Sequence, residues 1–269
     1  MGAFDVHAHL THPKLAHDID AIIARAEAAG LTTILSNGLN PLDNEATAQL
    51  AAKYPIVKAC FGFYPVDTVL EDMEALGIDY PRDSPTVSAE EGVAWVRAHA
   101  KGAFAIGEIG LDGYWVPEGP LWDKQERVFR ELVQIAIDAN KAIIIHTRKR
   151  EQRCLDVLRE MKAPRVDWHC FGGKVPMARE IAKEPGHYLS IPANARRSQN
   201  FRRMLEHLPR ERLLLETDCP YLGPEKGVDN EPANVAGTVT FAAELWKTDE
   251  ASVIAQLSEN FERLFGVAP

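Results

Sequence analysis

The chain lacks the features that mark a membrane or secreted protein. No stretch of its 269 residues approaches the roughly 20 consecutive apolar residues that a membrane-spanning helix needs. The first residues, Met-Gly-Ala-Phe-Asp-Val-His, do not form the basic segment and apolar run of a secretory signal. Gly2 is not followed by Ser or Thr at position 6, which argues against myristoylation. We therefore expect a cytoplasmic protein that does not act at a membrane.

Cysteine is scarce, and its spacing excludes two common kinds of cysteine site. The four cysteines are Cys60, Cys154, Cys170 and Cys219. They form no Cys-x-x-Cys pair and no framework of close spacings, so neither a cysteine zinc site nor a disulfide scaffold is indicated. Cys170 directly follows His169, and Cys219 directly follows Asp218. Neighbours in an extended segment point to opposite faces, so neither thiol is well placed to bind a metal together with the residue before it. We interpret all four as buried, reduced thiols.

Positive charge is in the minority. Thirty Lys and Arg residues stand against 39 Asp and Glu residues, which gives a formal net charge of −9. This balance argues against a broad basic face that binds nucleic acid non-specifically. It leaves room for a nuclease whose positive charge comes locally from metal ions and a few arginines. Nothing in the composition indicates an obligate protein partner.

The chain does contain a regular alternation of strand-like and helical segments. Short apolar runs predict strands at residues 3–6, 32–36, 56–61, 104–106, 142–145, 166–168, 188–191 and 213–215. Helical patterns occupy residues 19–29, 41–53, 125–140, 152–161, 176–183, 200–208, 235–246 and 250–265. This order and length predict an α/β fold, a (β/α)8 TIM barrel that forms a single domain over residues 1–269.

One long connection interrupts the alternation. Residues 64–85 read as an irregular loop that holds Pro65, Pro81 and Pro85. Loops of this length on a barrel are usually functional lids or peripheral insertions. Ser88 and Glu91 beyond it have the spacing of a capping box, which predicts the start of a further helix.

Six residues that bind metals well lie at the ends of the predicted strands. They are His7, His9, Glu108, His146, His169 and Asp218. Parallel strands of a barrel bring their carboxyl ends together on the face that carries the active site. Four imidazoles and two carboxylates gathered there would suit a pair of divalent cations. Their joint placement predicts a two-metal site.

The histidines also have ordinary explanations when they are taken singly. His7 and His9 are two apart on a strand and point the same way, but a lone His-x-His is often a surface accident. His146 and His169 each follow an apolar run, where an imidazole is usually a hydrogen-bonded core group. The metal site is favoured because all four fall at strand ends on one predicted face.

The carboxylates need partners because charged groups are seldom buried alone. For Glu108, a salt bridge to Arg148 or Lys174 is one explanation, and a carboxylate that bridges two cations is the other. Asp218 belongs to an acidic pair with Glu216 directly after the apolar run of residues 213–215. This position makes Asp218 the less ambiguous of the two carboxylate ligands.

Several neighbouring residues receive lesser roles. Asp5 lies on the face of His7 and is expected to orient a ligating imidazole. Asp112 is interpreted as structural. His12 and His17 lie in the first loop, where a histidine can contact substrate, but solvated side chains are the favoured interpretation. The other histidines lie in helices or at strand starts and are weaker candidates: His99, His187 and His207.

These motifs resemble those of the TatD family of metal-dependent hydrolases, within the amidohydrolase superfamily, and the resemblance covers nearly the whole chain. The matching blocks are Asp5-Val-His-Ala-His-Leu10, Gly107-Glu-Ile-Gly-Leu-Asp112, His146-Thr-Arg148, His169-Cys-Phe-Gly-Gly173, Glu216-Thr-Asp-Cys-Pro-Tyr-Leu222 and Asn230-Glu-Pro232. The resemblance implies a TIM barrel, a two-metal site and phosphodiester hydrolysis, typically by a deoxyribonuclease. It implies one metal bound by His7, His9, Glu108 and Asp218, and a second bound by Glu108, His146 and His169.

Three positions and one segment depart from the family pattern. Tyr64, in Gly62-Phe-Tyr-Pro65, replaces a histidine found in many members, and Gly172 stands where Ser is usual. Asp229 precedes Asn-Glu-Pro where a basic residue is common, and the segment of residues 192–198 is unusual. None of these positions is a proposed metal ligand, so they bear on the substrate rather than on the hydrolytic chemistry.

The functional hypothesis is metal-assisted hydrolysis of DNA. Two cations would lower the pKa of a bridging water and neutralise charge on a phosphoryl oxygen. Glu108 would bridge the cations, and Asp218 would act as general base. The ligand types favour zinc as the bound ion, with manganese or magnesium as alternatives for activity.

Residues after the strands supply candidate substrate contacts. The candidate phosphate contacts are Arg148, Lys174, Arg196 and Arg197. The candidates for stacking on a base are Phe63, Tyr64 and Phe171. Two other functions remain open at this point. One is hydrolysis of a carbonyl substrate by the same site: an ester, amide, lactone or aminoacyl ester of transfer RNA. The other is a barrel that holds metal and only binds a partner.

Overall fold

Parallel strands alternate with helices along the computed structural model, which describes residues 2–81 and 86–269. The strands are β1 Ala3–Ala8, β2 Leu31–Asn37, β3 Val57–Cys60, β4 Ile106–Asp112, β5 Ile143–Arg148, β6 Val166–Trp168, β7 His187–Ile191 and β8 Leu213–Leu215. The helices are α1 Pro13–Ala16, α2 Ile19–Ala28, α3 Pro41–Lys53, α4 Leu70–Ala75, α5 Ala89–His99, α6 Pro120–Asp138, α7 Glu151–Glu160, α8 Val175–Ile181, α9 Gln199–His207, α10 Val235–Trp246 and α11 Glu250–Phe265.

The strands close into a barrel in sequence order. β1, β2 and β3 pair in parallel, and so do β4 through β8. A parallel bridge between Phe61 and Ile106 joins the two groups on one side, and a bridge between Ala8 and Cys219 joins them on the other. The predicted (β/α)8 barrel is thereby confirmed, and its closure brings β1 beside β8.

Buried apolar side chains fill the space between strands and helices. The main cluster runs from Ala3 to Phe265, and the rings of Phe4 and Phe261 lie with their centroids 4.8 Å apart. All eight strands are largely buried, as expected for a parallel sheet covered by helices. A smaller cluster under the connection between β3 and α5 contains Val66, Val69 and Met73.

The fourth strand differs from its prediction. Residues 104–106 were expected to form it, whereas β4 is Ile106–Asp112 and contains Glu108. The glycines at 107 and 110 and the acidic side chains break the apolar pattern on which the prediction rested. β1 likewise extends to Ala8, so His7 lies within the strand rather than after it.

The connection after β3 is not irregular throughout. Asp67–Val69 forms a 3-10 turn and α4 follows it directly. Pro85 lies outside the described residues. The capping box at the start of α5 is confirmed: the Ser88 hydroxyl accepts from the Glu91 backbone amide, and the Glu91 carboxylate accepts from the Ser88 amide.

Three of the four cysteines are buried as predicted, and the fourth is only partly buried. Cys60, Cys154 and Cys219 are buried free thiols, and Cys170 is partly buried. Among the described residues, no helix is both long and apolar enough to cross a membrane.

Candidate metal centre

The first two candidate ligands come from β1 and the residue beyond it. The Nε2 atoms of His7 and His9 lie 3.2 Å apart, so both rings aim at the same point. The Nδ1 of His9 donates to the backbone carbonyl of Asn37 over 3.1 Å. That bond fixes the tautomer of His9 and leaves the lone pair of Nε2 free for a cation.

Asp5 does not orient an imidazole, contrary to the expectation. Its carboxylate accepts from the backbone amides of His7, at 3.1 Å, and Thr217, at 2.9 Å, and also from the Thr217 hydroxyl. Burial raises the pKa of Asp5 to about 8 despite these hydrogen bonds. The side chain therefore ties β1 to the segment after β8, which places the first and last ligands side by side.

Glu108 reaches the centre because small residues surround its backbone. A Cβ on Gly62 would lie 2.3 Å from the backbone nitrogen of Glu108. A Cβ on Gly107 would lie 2.6 Å from the Cβ of Ile144. Both distances are shorter than any ordinary contact, so the neighbouring strands can approach β4 this closely only with glycine at these positions.

The Glu108 carboxylate lies among four imidazoles. Within residues 2–81 and 86–269 its ion pairs are all with histidines, namely His7, His9, His146 and His169. A salt bridge to Arg148 or Lys174 is therefore the wrong explanation for its burial. Burial alone would raise the pKa of Glu108, but the surrounding histidines hold it well below its ordinary value. The group is a buried carboxylate anion.

His146 is held between two carboxylates. Its Nδ1 lies 2.9 Å from Oε1 of Glu108, and its Nε2 lies 2.9 Å from Oδ2 of Asp112. Burial would lower the pKa of His146, but these two acids outweigh it and raise the pKa to about 9. Asp112 also accepts from the backbone amides of Tyr114 and Trp115. It is structural, as predicted, and it also orients the ring of His146.

His169 has a similar arrangement from the opposite side. Its Nε2 lies 3.6 Å from Oε1 of Glu108, and its Nδ1 lies 3.2 Å from Oε2 of Glu216. Ser190 donates to the same oxygen of Glu216 over 2.6 Å. Burial would lower the pKa of His169, but Glu216 and Glu108 raise it to about 10. Sequence reasoning noted Glu216 only as a neighbour of Asp218 and missed its role in holding this ring.

Asp218 completes the cluster from the segment after β8. Its backbone amide donates to the carbonyl of His7 over 2.9 Å, which fixes the residue beside β1. Its Oδ1 lies 3.5 Å from Nε2 of His9. Burial would raise the pKa of Asp218, but His9, His169 and His7 lower it. Its side chain is 13% exposed, against 3% for Glu108, so it is the more accessible carboxylate.

The spacing of these donor atoms fits a metal ion. Zinc with tetrahedral bonds of about 2.0–2.1 Å needs donor atoms about 3.3 Å apart. Nε2 of His7 and Nε2 of His9 each lie 3.4 Å from Oε2 of Glu108 and at 3.9 and 3.5 Å from Oδ1 of Asp218. The other oxygen of Glu108, Oε1, faces His146 and His169. Each Glu108 oxygen thus belongs to a different group of possible ligands.

Comparison with known proteins agrees with this geometry. The family model described as "TatD related DNase" matches residues 4–266. The chain belongs to the TatD family of metal-dependent hydrolases.

Relatives of this TatD-family chain match it along nearly its full length. The "Uncharacterized metal-dependent hydrolase YabD" of Bacillus subtilis is 33% identical over 273 residues, which cover 98% of this chain and 99% of the relative. The "3'-5' ssDNA/RNA exonuclease TatD" of Escherichia fergusonii is 30% identical, with 98% and 99% covered. The crystal structure of the TatD homologue YJJV from Escherichia coli K12 has a TM-score of 0.82 at 23% identity, with 98% of each chain covered. It supports the fold.

Two of the expected base-stacking residues must be corrected. The side chains of Phe63 and Phe171 are 0% exposed, so neither ring presents a face to a substrate. Phe171 packs edge-on against Trp168, and Phe63 packs against Gly92. Tyr64, which replaces the histidine of many TatD members, does face the centre: its ring centroid lies 5.0 Å from that of His146.

The expected phosphate contacts differ in their availability. Arg148 and Lys174 are exposed at the carboxyl ends of β5 and β6, on the face of the candidate ligands. Arg196 pairs with Glu244 over 2.7 Å, and Arg197 donates to the carbonyl of Gly223 over 3.0 and 3.1 Å. The first two are therefore the better placed, because the other two already hold neighbouring elements.

Two ion pairs fasten the segment that carries Asp218 to α1 and α2. Asp229, at the position where TatD members commonly have a basic residue, pairs with Lys14 over 2.6 Å. Arg25 makes three hydrogen bonds to the carboxylate of Glu231. These pairs join the segment after β8 to α1 and α2.

Proposed function

We propose that the chain is a divalent-metal-dependent phosphodiesterase that hydrolyses DNA, with residues 1–269 acting as one hydrolase domain. The observation that carries the proposal is the division of Glu108 between two groups of donors, because a carboxylate that bridges two cations needs one oxygen for each. The names of the relatives, a DNase family and a single-strand exonuclease among them, favour a phosphodiester substrate. The packing of Phe4 on Phe261 supports one domain.

The proposed ligand sets follow the two groups. One ion would be held by His7, His9, Glu108 and Asp218, and the other by Glu108, His146 and His169. Imidazole and carboxylate donors favour zinc as the bound ion, and manganese or magnesium are the alternatives to test for activity. Such ions supply Lewis acidity, which lowers the pKa of water and neutralises charge on a phosphoryl oxygen.

Asp218 is proposed as the general base. Its pKa lies below the ordinary value, so its carboxylate is ionised at neutral pH and can take a proton from the attacking water. Its partial exposure gives that water access to the carboxylate. Glu108, which is more deeply buried, holds position and charge instead. Arg148 supplies a positive charge at the rim for the phosphate.

The test compares two substrate classes on one protein. The protein is loaded with zinc or manganese and incubated with a single-stranded DNA oligonucleotide and, in parallel, with a panel of aryl esters and lactones. We expect cleavage of the oligonucleotide and turnover of the carbonyl substrates at background level. The reverse pattern would identify a carbonyl hydrolase. Absence of turnover on both would identify a barrel that only holds metal.

Variants then test the residue roles. Asp218→Asn keeps the size of the side chain and an oxygen ligand but removes the base, so hydrolysis should fall at least about 100-fold. Asp123→Asn, an exposed position in the first turn of α6, serves as the matched control. Metal content is measured on each variant, and two ions per chain are expected. Full activity of Asp218→Asn at unchanged metal content would remove the general-base role.

A further inference from the structure

Among the described residues, Tyr114 is one of the large hydrophobic side chains that are exposed, and it lies two residues after β4, the strand that contains Glu108. Its ring is 47% exposed, in the loop after β4. The loop is held in place by Asp112, which accepts from the amides of Tyr114 and Trp115 over 2.7 and 2.8 Å and contacts His146 through its other oxygen. An exposed aromatic ring is thereby fixed, through one carboxylate, to a candidate metal ligand.

The guanidinium of Arg148 lies on this ring. Its Cζ is 3.7 Å from the ring centroid of Tyr114. Arg148 and His146 are two residues apart on β5, so their side chains leave the strand on the same face. The backbone agrees, because Asp112 and Arg148 are register partners and the Gly113 amide donates to the Arg148 carbonyl over 2.8 Å. The exposed guanidinium therefore stacks on Tyr114 on the same face of β5 as His146.

The ring of Tyr114 packs against Trp115, which is itself partly buried. Trp115 meets Tyr114 edge-on, with centroids 4.9 Å apart, and packs on the cluster that contains Val116 and Leu121. A planar cation stacked on a fixed aromatic ring presents its own outer face to whatever binds at the mouth. Unpaired bases stack on aromatic rings and on arginine guanidinium planes, and the N–H edge of the guanidinium remains free for phosphate.

We propose that Tyr114 and Arg148 form a nucleobase subsite, in which the base next to the scissile phosphate stacks on the guanidinium that Tyr114 supports. This inference rests on the proposed phosphodiesterase function and adds a preference for single strands, since a paired base has no face to offer. It assigns Arg148 two roles, stacking and charge. It also assigns Tyr114 a positioning role that nothing in the sequence pattern indicated.

The experiment compares a thymidine oligonucleotide with an oligonucleotide of the same length made of abasic tetrahydrofuran units. KM and kcat are measured on both for the metal-loaded wild type, Y114F, Y114A and R148K, with metal content determined for each. In the wild type, KM should be about tenfold higher on the abasic substrate, equivalent to about 1.4 kcal/mol and within the range for one stacked base. Y114F keeps the ring and should keep this ratio within twofold.

R148K keeps the charge but loses the planar group, so its KM ratio should fall towards one. Y114A should do the same because Arg148 loses its support. Unchanged ratios in R148K and Y114A, or a wild-type ratio of one, would overturn the subsite while leaving the phosphodiesterase in place. A wild type that hydrolyses neither oligonucleotide would overturn the proposed function and this inference together.

Discussion

The carboxylate of Asp112 orients a single ring, that of His146. It contacts Nε2 of His146 while Nδ1 faces Glu108, so Nδ1 is the nitrogen that would be available to a cation. Removing the charge from a group that orients a metal ligand typically reduces metal affinity or activity 10- to 100-fold. We therefore predict that Asp112→Asn weakens zinc binding by about this factor, measured by competition with a chromogenic chelator. Asp123→Asn is the control, and equal affinities in the two variants would contradict the orienting role.

His187 offers a pH-dependent test far from the candidate ligands. It is buried at the amino end of β7, and its Nδ1 accepts from the indole N–H of Trp168 over 3.1 Å. Burial lowers its pKa to about 4. The unfolded chain takes up a proton near pH 6.5 and the folded chain only near pH 4. The neutral His187 side chain therefore contributes to the free energy of unfolding above about pH 6.5. This contribution, about 3 kcal/mol, is lost as the pH falls from about 6.5 to about 4.

The prediction concerns the slope of stability against pH. In His187→Gln the amide oxygen can still accept from Trp168 but does not titrate, so stability should fall less between pH 6.5 and pH 4 than in the wild type. Denaturant unfolding at half-unit pH steps measures the difference. His207→Gln, on the exposed end of α9, should follow the wild-type curve. Parallel curves for His187→Gln and wild type would contradict the assignment.

Single residues show how much of the candidate metal centre can be predicted from the sequence. The placement of His7, Glu108 and Asp218 in one site could be predicted, because the carboxyl ends of the strands of a barrel lie together on one face. The roles of Asp5 and Glu216 could not be predicted, because Asp5 binds Thr217 and Glu216 binds His169, groups that are distant in sequence and meet only in the fold. The burial of Phe171 was missed for a related reason: an aromatic residue in a loop looks the same in sequence whether it faces substrate or core.

At the scale of elements, the segment after β8 depends on one asparagine. The amide of Asn230 donates to the carbonyls of Thr217 and Tyr221, both at 2.8 Å, and its oxygen accepts from the Glu231 amide and from Asn234. These four bonds fold the segment back over Asp218. They connect a buried polar side chain to the backbone on either side of a candidate ligand.

We predict that Asn230→Asp destabilises the protein by about 1–3 kcal/mol, the cost of leaving buried carbonyls unsatisfied. The change keeps the volume and the acceptors and removes both donors. Thermal and denaturant unfolding measure the loss, and activity should fall with it because Asp218 is no longer held. Asn200→Asp removes one hydrogen bond, to Gly173, and should cost less. Equal losses in the two variants would argue against a special role for Asn230.

Element boundaries show where periodicity succeeds and where it fails. α3, α10 and α11 were predicted to the residue. Pro41 marks the first turn of α3, and α11 repeats an amphipathic pattern over several turns. β4 was placed too early, because its glycines and acids serve the site and the close packing of strands rather than an apolar pattern. β4, which contains the candidate ligand Glu108, is thus the strand whose bounds were predicted least accurately.

For the whole molecule, the candidate metal centre can form only when the barrel closes, because its ligands come from both groups of strands. β1 belongs to the three-stranded group and supplies His7, with His9 directly after it. The other candidate ligands lie in strands of the five-stranded group or follow them: Glu108, His146, His169 and Asp218. Within residues 2–81 and 86–269, the β-bridges that join these groups are Phe61–Ile106 and Ala8–Cys219. The chain order predicted the barrel, but the closure pairs residues more than 200 positions apart and could be known only from the fold.

Ions held across that closure should stabilise the fold against opening. At a free concentration 100 times the Kd, a ligand that binds only the folded state adds about 2.7 kcal/mol. For a chain of this size the melting temperature should rise by about 5–10 °C. We predict this gain when zinc is added to chelator-treated wild type, and its loss in Glu108→Gln, which removes the charge shared by both donor groups. Glu118→Gln, at an exposed loop position, should keep the full gain. A Glu108→Gln variant that zinc stabilises as much as wild type would show that the ion binds elsewhere and that the barrel closes without it.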